Sequence, residues 1–493
     1  MTSPRLTVPA LAACAVLMAG CAVGPEFARP EAPTAAAYSP DGLPAPTAQT
    51  DLPTGAAQKF NPGAPVAQAW WEAFHAEPLT RLVEQALKTN PDVQAAEAAL
   101  RQARELAAAG TSAFLPTIDG QAGVTRQQAS GQSVNGANTK PFTLYNASVN
   151  VSYNLDLFGG ARRAYEGLEA QADVMRFELE AARLTLAANV VTTALQEASL
   201  RAQIAATRDI IDADKQQLQL LEQQLELGAI ARTAVLAQAA TLAQAEATLP
   251  LLDKQLAQTR HQLAALVGQL PSDELGATFE LAQMQLPENL PLTLPSRLVA
   301  RRPDVRAAEA QLRAASAAVG VATANMLPQI SLSAGYGAEA LALGDLLSPG
   351  AAVWGLGAGL LQPLFHGGEL RHKRNAAEAA YDEAAARYRG AVLTAFQNVA
   401  DALQALRSDA EALRTQWAAD RAAFDSLELA REQLKAGSVS YLSVLTAQQT
   451  WQQTKIALAQ AEARRFADTA ALFQALGGGW TDEDTSTNEE KTK

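Results

Sequence analysis

The sequence predicts a mainly helical chain with four membrane-type β-strands, arranged as two copies of one structural unit. Three observations predict this fold class: two long proline-free tracts with apolar residues at helical spacing, four short segments that alternate apolar and polar residues, and a motif that occurs twice. The chain has 493 residues, of which 48% are hydrophobic, so it can bury a core.

Composition excludes several classes of protein. The 39 basic and 51 acidic residues give a net charge of −12, which argues against a nucleic-acid partner. The two cysteines, Cys14 and Cys21, cannot staple a fold of this size or form a zinc cluster. Outside the N-terminus, no apolar run approaches the roughly 18 residues that a membrane-spanning helix needs, so none is expected.

The N-terminus has the build of a secretory signal. Arg5 precedes an apolar stretch over residues 6–19, and small residues follow it up to Cys21. This ending resembles the bacterial lipoprotein cleavage box, which predicts a signal peptide over 1–20 and lipid chains on Cys21. An ordinary signal peptide cleaved elsewhere is the alternative. Ala22 rather than Asp follows the cysteine, and in bacterial lipoproteins this favours the outer membrane.

Two segments are expected to lack regular structure. Residues 21–69 are expected to form an extended strap between the lipid and the body of the protein. Nine prolines lie between residues 22 and 69, and proline lacks the backbone donor that helices and sheets use. The tail at 481–493 is polar and charged, which predicts disorder.

The body of the chain is an internal duplication. The motif at residues 90–101 recurs 212 residues later at 302–313, and Leu115-Pro116 recurs at the same distance as Leu327-Pro328. This spacing is far longer than that of a solenoid repeat, so each copy is a large structural half. The halves are predicted at 70–268 and 301–480, with a proline-rich linker at 269–300.

Each half contains two strand signals. They lie at about 116–126 and 143–157 in the first half, and at about 328–337 and 352–362 in the second. From Tyr145 to Leu157 apolar and polar residues alternate without an error. Strands of about ten residues with one apolar and one polar face suit a transmembrane barrel with a wet lumen. A soluble sheet with one buried face is the alternative.

Four strands cannot close a barrel by themselves. Open sheet edges in lipid would leave backbone groups unpaired, at several kcal/mol each. Strands that enter a membrane must therefore be shared between subunits. Two copies would give eight strands and three would give twelve, and the residues alone do not choose between them.

A long helical hairpin follows each strand pair. Residues 161–227 contain no proline, and apolar residues recur at seven-residue spacing in their last third and in the returning helix, which predicts coiled-coil packing. The second half repeats this pattern at 369–436 and 441–476. Gly228 and Gly437 are predicted at the tips, where a left-handed turn favours glycine. Pro250 is expected to break or kink the returning helix. One long amphipathic helix on a globular core is the alternative.

No pattern in the sequence indicates catalysis. His366 and His372 lie close together near a strand end, but no thiol or third ligand accompanies them. No phosphate-binding loop, zinc-protease motif or nucleophile elbow occurs. We therefore expect no enzymatic activity, no catalytic residue, no metal and no cofactor besides the covalent lipid on Cys21.

Three groups of residues carry a family resemblance. They are the lipidated start from Cys21 to Pro30, the Trp70-Trp71-Glu-Ala-Phe74 segment, and Leu294–Leu298 with Arg301–Val305. Together they resemble the TolC-like outer-membrane factors of bacterial tripartite efflux pumps, and the resemblance covers nearly the whole mature chain.

The resemblance implies a homotrimer and a transport function. Twelve strands, four from each chain, would form one outer-membrane β-barrel that a long periplasmic α-helical barrel continues. The duct would passively conduct drugs or other toxic small molecules outward. The helical tips would dock a periplasmic adapter bound to an inner-membrane pump. The residues assigned to the tips are Gly228, Ala229, Ile230, Gly437, Ser438, Val439, Ser443 and Thr446.

One departure from the family and two other functions remain. Ser443 and Thr446 stand where family members often carry tip aspartates, so we expect only weak block of conductance by divalent or trivalent cations. The same channel could serve an ABC-type protein exporter, although the lipoprotein start at Cys21 argues against this. A pore-free structural lipoprotein of the periplasm is the other alternative.

Overall fold

The computed structural model describes residues 23–31, 37–40, 42, 44–128, 140–478 and 480. They fall into two compact units built from interleaved segments of the chain. The strand unit takes its residues from 1–30, 99–176 and 307–389, and the hairpin unit from 31–98, 177–306 and 390–493. Each unit therefore contains segments of both predicted halves.

The bounds of the elements are as follows. The strands are β1 Lys59–Pro62, β2 Thr117–Gln127, β3 Phe142–Leu155, β4 Asn289–Leu292, β5 Gln329–Ala340 and β6 Ala352–Leu361. The helices are α1 Glu77–Thr89, α2 Pro91–Gly110, α3 Gly160–Glu226, α4 Arg232–Leu266, α5 Pro295–Arg301, α6 Pro303–Ala324, α7 Glu369–Lys435 and α8 Tyr441–Ala475. Within the described residues, no helix is both long and apolar enough to span a membrane.

The strand unit contains a four-stranded antiparallel sheet in the order β2-β3-β5-β6. All four strands lie within three residues of the bounds that the alternating pattern predicts. The middle pair joins the two predicted halves, because β3 from the first pairs with β5 from the second. The strands β2 and β6 are the sheet edges.

The N-terminal segment of the strand unit lies along α6. The Val23 amide donates to the Phe158 carbonyl at 3.0 Å, just beyond the end of β3. Gly24 contacts Gly320 so closely that a Cβ on Gly24 would lie 2.5 Å from the Gly320 Cα. Further along, Arg29 forms a 2.8 Å ion pair with Glu309. These contacts place the described start of the chain at the junction of β3 and α3.

The hairpin unit has the apolar seam that the seven-residue spacing predicts, but only part of it is buried. Ile204, Ile211 and Leu263 are buried on α3 and α4, and Leu406 and Leu413 on α7. Closer to the second tip, the side chains of Leu427, Ala430 and Val444 form a small core between α7 and α8. Both 67-residue helices are unbroken within the bounds given above.

The helix α4 continues through Pro250, so of the two expected outcomes, a break or a kink, the break does not occur. Proline removes one backbone donor and leaves the carbonyl four residues earlier, that of Glu246, without its partner. Both residues are exposed, so water can satisfy that carbonyl.

The strap is more regular than expected. In the strap, β1 pairs in parallel with β4 of the predicted linker, in which the helix α5 also begins. A four-residue strand that pairs with a partner about 230 residues away leaves no local pattern in the sequence. The density of prolines therefore wrongly predicted that the whole strap lacks regular structure. The predicted signal peptide, Cys21 and the tail at 481–493 lie outside the described residues.

One buried arginine holds the strap on α8. The Arg465 side chain is 1% exposed and donates to the carbonyl oxygens of Thr54 and Ala56 at 3.2 and 3.0 Å. It also donates to side-chain oxygens of Thr47 and Gln58. Burial lowers the pKa of Arg465 to about 10, so it stays charged at neutral pH.

Candidate functional site

The sheet of the strand unit has one polar face. In register, Gln121 of β2 lies opposite Ser148 of β3, and Ser148 lies opposite Gly337 of β5. The next row toward the other end continues from Asn150 to Gly335 and Gly355. Small and amide side chains thus cover the middle rows of this face, where they can hydrogen-bond to water.

The opposite face of the sheet is apolar. Val149 lies opposite Tyr336, and Tyr336 lies opposite Trp354. The side chains of Trp354 and Leu356 are 75% and 79% exposed, and no described element covers this face of β6. An exposed apolar surface on one face with a polar surface on the other is the pattern of a strand set between lipid and water.

The two sheet edges offer unpaired backbone groups. The outer sides of β2 and β6 have no neighbouring strand among the described residues. Both strands are long, at 11 and 10 residues, and neither carries proline. Such edges pair readily with another chain.

Each helical hairpin reverses through the same glycine turn. At the first tip Gly228 has φ 69°, the Ala229 amide donates to the Gln224 carbonyl and the Gly228 amide to the Leu225 carbonyl. At the second tip Gly437 has φ 71°, and the Ser438 and Gly437 amides make the equivalent pair of bonds. This is the Schellman motif, in which only glycine takes the left-handed position without strain.

The predicted tip residues lie in each turn or, for Ser443 and Thr446, at the start of α8, and they are accessible. Gly228, Ala229, Gly437, Ser438, Ser443 and Thr446 are exposed, and Ile230 and Val439 are half-buried. Large apolar side chains stand beside them, since Leu227 is 83% and Leu442 67% exposed. The turns thus offer apolar and small polar groups to a partner, and no Asp lies between residues 224 and 236 or between 431 and 446.

A polar cluster around Asp214, which no sequence motif predicted, ties the two hairpins together. Asp214 of α3 is fully buried and accepts hydrogen bonds from Gln448 and Gln452 of α8. The Gln238 amide donates to the Asp214 carbonyl at 3.3 Å, and the Tyr441 hydroxyl donates to Gln238 Oε1 at 2.5 Å. Counted along the helices at 1.5 Å per residue, Asp214, Gln238 and Gln448 lie about 15–21 Å from the tip glycines, and Tyr441 about 6 Å.

Burial sets the protonation of this cluster. Burial raises the pKa of Asp214, and the hydrogen bonds from Gln452, Gln238 and Gln448 oppose that rise. Burial and then the charge of Asp214 raise the pKa of Tyr441 to about 12, so its hydroxyl remains a donor. Any separation of α8 from α3 at this level must break these bonds.

A sequence signal for Asp214 exists. Leu200, Thr207, Asp214 and Leu221 recur at seven-residue spacing, and all four are buried. A carboxylate in an otherwise apolar seam marks a position that needs a polar partner.

The described residues hold no group of three or more His, Cys, Asp or Glu side chains placed to bind a metal. His372 lies beside Gly368 at the start of α7. The surfaces that carry the functional argument are the two-faced sheet and the two tips.

Comparison with known proteins decides the family. The outer membrane efflux protein family matches residues 82–269 and 294–478, which together make up most of the chain. The chain belongs to the outer membrane efflux protein family. The two matched segments fall within the two predicted halves, apart from a few residues at their ends.

Relatives and solved structures cover nearly all of the chain. The pyoverdine export outer membrane protein OpmQ of Pseudomonas putida KT2440 is 31% identical over 84% of this chain and 88% of its own length. The outer membrane protein OprJ of Pseudomonas aeruginosa PAO1 is 30% identical over 97% of both chains. The structure of the outer-membrane channel OprN has a TM-score of 0.84 at 29% identity, covering 93% of this chain and 100% of that one. This protein is thus an efflux component of the bacterial outer membrane.

Proposed function

We propose that three copies of this chain form an exit duct that passively conducts small molecules across the outer membrane. The observation that carries the proposal is the sheet with one apolar face, one polar face and two unpaired edges. The apolar face would contact lipid and the polar face would line a water-filled lumen.

Closure requires more than one copy. Unpaired edges in the bilayer would cost several kcal/mol for each backbone group, so β2 of one copy would pair with β6 of the next. Three copies give twelve strands, the number that the family resemblance implies. The helical hairpins would continue this barrel as a tunnel in the periplasm.

The duct would work with two partners and an anchor. A periplasmic adapter would bind the tips and connect them to an inner-membrane pump, which supplies the energy. Drugs and other toxic compounds are the proposed cargo, since relatives are named for antibiotic and solvent efflux as well as pyoverdine export. Lipid chains on Cys21 would anchor the start of each chain, and the position of Val23 beside the end of β3 supports this.

Photocrosslinking in living cells tests the docking. A photoreactive residue at Ser438 or Ala229 should capture a periplasmic adapter, which mass spectrometry then identifies. The control position is Leu347, a 96% exposed residue in the β5–β6 connection that lies in the other unit. Capture of the adapter from Leu347, or of only further copies of this chain from both tips, would contradict docking at the tips.

A further inference from the structure

The polar face of the sheet carries negative charge and no positive charge. Its described strand residues include two carboxylates, Asp119 of β2 and Glu339 of β5, and no Lys, Arg or His. The other positions on this face are Thr117, Gln121, Gly123, Thr125, Gln127, Phe142, Leu144, Asn146, Ser148, Asn150, Ser152, Asn154, Gln329, Ser331, Ser333, Gly335, Gly337, Val353, Gly355, Gly357, Gly359 and Leu361.

The neighbours of Asp119 cannot neutralise it. In register it lies opposite Asn150, and the same row continues through Gly335 to Gly355. Its side chain is exposed, and a Cβ on Gly355 would meet no atom within 4 Å. This carboxylate therefore stands on an open, uncharged row.

The outer side of β2 would not supply a counter-charge either. In the proposed trimer β2 pairs with β6 of the next copy, whose polar face consists of Val353, Leu361 and three glycines between them. The result does not depend on the register of that pairing, because none of these residues carries a charge.

Glu339, near the C-terminal end of β5, also lacks a positively charged neighbour on this face. It lies opposite Asn146, and on its other side its own amide donates to the Ala351 carbonyl at 2.8 Å. Its side chain is exposed, and Glu339 takes part in none of the ion pairs among the described residues. Three copies would thus place six unneutralised carboxylates on the lumen wall.

We propose that Asp119 and Glu339 make the outer-membrane part of the duct selective for cations over anions. The proposal rests on the trimeric duct described above. A water-filled lumen lined by one sign of charge, with low-dielectric walls, focuses the potential of these carboxylates, which concentrates cations and excludes anions. Selectivity would then arise in the barrel, although the tips lack aspartates.

Reversal potentials in planar bilayers test the proposal. The purified protein is measured under a KCl gradient, with the dilute side near 0.1 M, where charges act over about 10 Å. We expect the permeability ratio of potassium to chloride to fall by at least about twofold in the Asp119→Asn, Glu339→Gln double variant. The Asp119→Lys variant should lower it further. At 1 M salt the double variant and the unmodified protein should converge, because screening shortens to about 3 Å.

Gln121→Asn is the matched control, because it changes a polar-face side chain of β2 without changing charge. Each single variant is measured as well. If one of them fails to assemble, the permeability ratio of the other still tests the proposal. Normal conductance with an unchanged permeability ratio in the double or the single variants would overturn the selectivity proposal alone. A protein that forms no conducting channel would overturn the duct and this proposal together.

Discussion

Buried ionisable side chains fix the helices of the hairpin unit against one another. Glu197 of α3 is fully buried and receives Arg201 and Arg260, each at 2.7 Å. Asp214 likewise joins α3 to α8, and Arg465 joins α8 to the strap. Removing both Arg201 and Arg260 would leave Glu197 as an uncompensated buried charge, which costs about 3–5 kcal/mol. These residues specify which surfaces meet, whereas the leucine seam alone would tolerate sliding by a heptad.

Asp468 makes the stability of the hairpin unit depend on pH. Burial, then a hydrogen bond with Asp409 and its charge, raise the pKa of Asp468 to about 7, while Arg464 and Arg465 oppose the rise. The unperturbed pKa is 3.8, so the folded chain binds this proton more tightly than the unfolded chain. Stability should therefore fall as the pH rises from 3.8 to about 7, and stay low above it.

Thermal unfolding at pH 6 and pH 8 measures this effect. The midpoint of the unmodified protein should be higher at pH 6, and Asp468→Asn should reduce the difference, because an amide cannot titrate. Asp425→Asn, at an exposed position of α7, is the control and should keep the full difference. A pH dependence that is the same in the Asp468 variant and the unmodified protein would rule out this carboxyl as its source.

Single polar residues are harder to predict from sequence than the elements that carry them. The tip glycines were predicted, because only a left-handed turn explains a glycine between two long helices. Arg465 was not, since its acceptors lie about 410 residues earlier in a strap that has no periodic pattern. Long-range partners of this kind become visible only in three dimensions.

At the scale of elements, the two tips combine the same turn with different chemistry. Both make the same pair of backbone bonds around a left-handed glycine. The second tip carries hydroxyl groups at Ser438, Ser440 and Ser443, whereas the first has Ala229 and Ala231 near its turn. An adapter that docks on both would meet two non-identical surfaces.

The tips should bind cations weakly. Ser443 and Thr446 are exposed on the first turns of α8, and a hydroxyl attracts a multivalent cation far less than a carboxylate does. A trivalent cation at micromolar concentration should therefore leave most of the single-channel conductance of the unmodified protein intact.

The double variant Ser443→Asp, Thr446→Asp is the informative comparison and should become sensitive to the same cation. Ala234→Asp and Ala237→Asp test the corresponding region of the first tip. Strong micromolar block of the unmodified protein would show that other groups bind the cation.

Elements with strong local patterns were predicted closely, and those that depend on distant pairing were not. The predicted first tract at 161–227 and the observed Gly160–Glu226 differ by one residue at each end. The alternating segments predicted the four sheet strands. A strand that has one apolar and one polar face must alternate the two residue types along its sequence. The strand β1 was not predicted, because it forms only by pairing with β4. The continuation of α4 through Pro250 was not predicted either, because it depends on water at the exposed carbonyl of Glu246.

At the scale of the whole molecule, function depends on what one chain leaves incomplete. A sheet of 11-, 14-, 12- and 10-residue strands with an exposed apolar face, and with two edges unpaired among the described residues, is incomplete by itself. Lipid on one face, water on the other and further copies at the edges would together complete it. The charge of the polar face would then affect which ions pass.

The most direct test of this account is a disulfide between β2 of one copy and β6 of the next. Gln121→Cys is combined in turn with a cysteine at each polar-face position of β6, starting from Gly355, where a side chain meets open space. Oxidised outer membranes are then analysed on a denaturing gel, with each single-cysteine variant as the control.

We expect at least one pair to give a ladder of one, two and three copies that stops at three, and we expect reduction to remove it. A ladder that stops at two copies would indicate an eight-stranded assembly, and the absence of any cross-link along the whole of β6 would contradict closure through these edges.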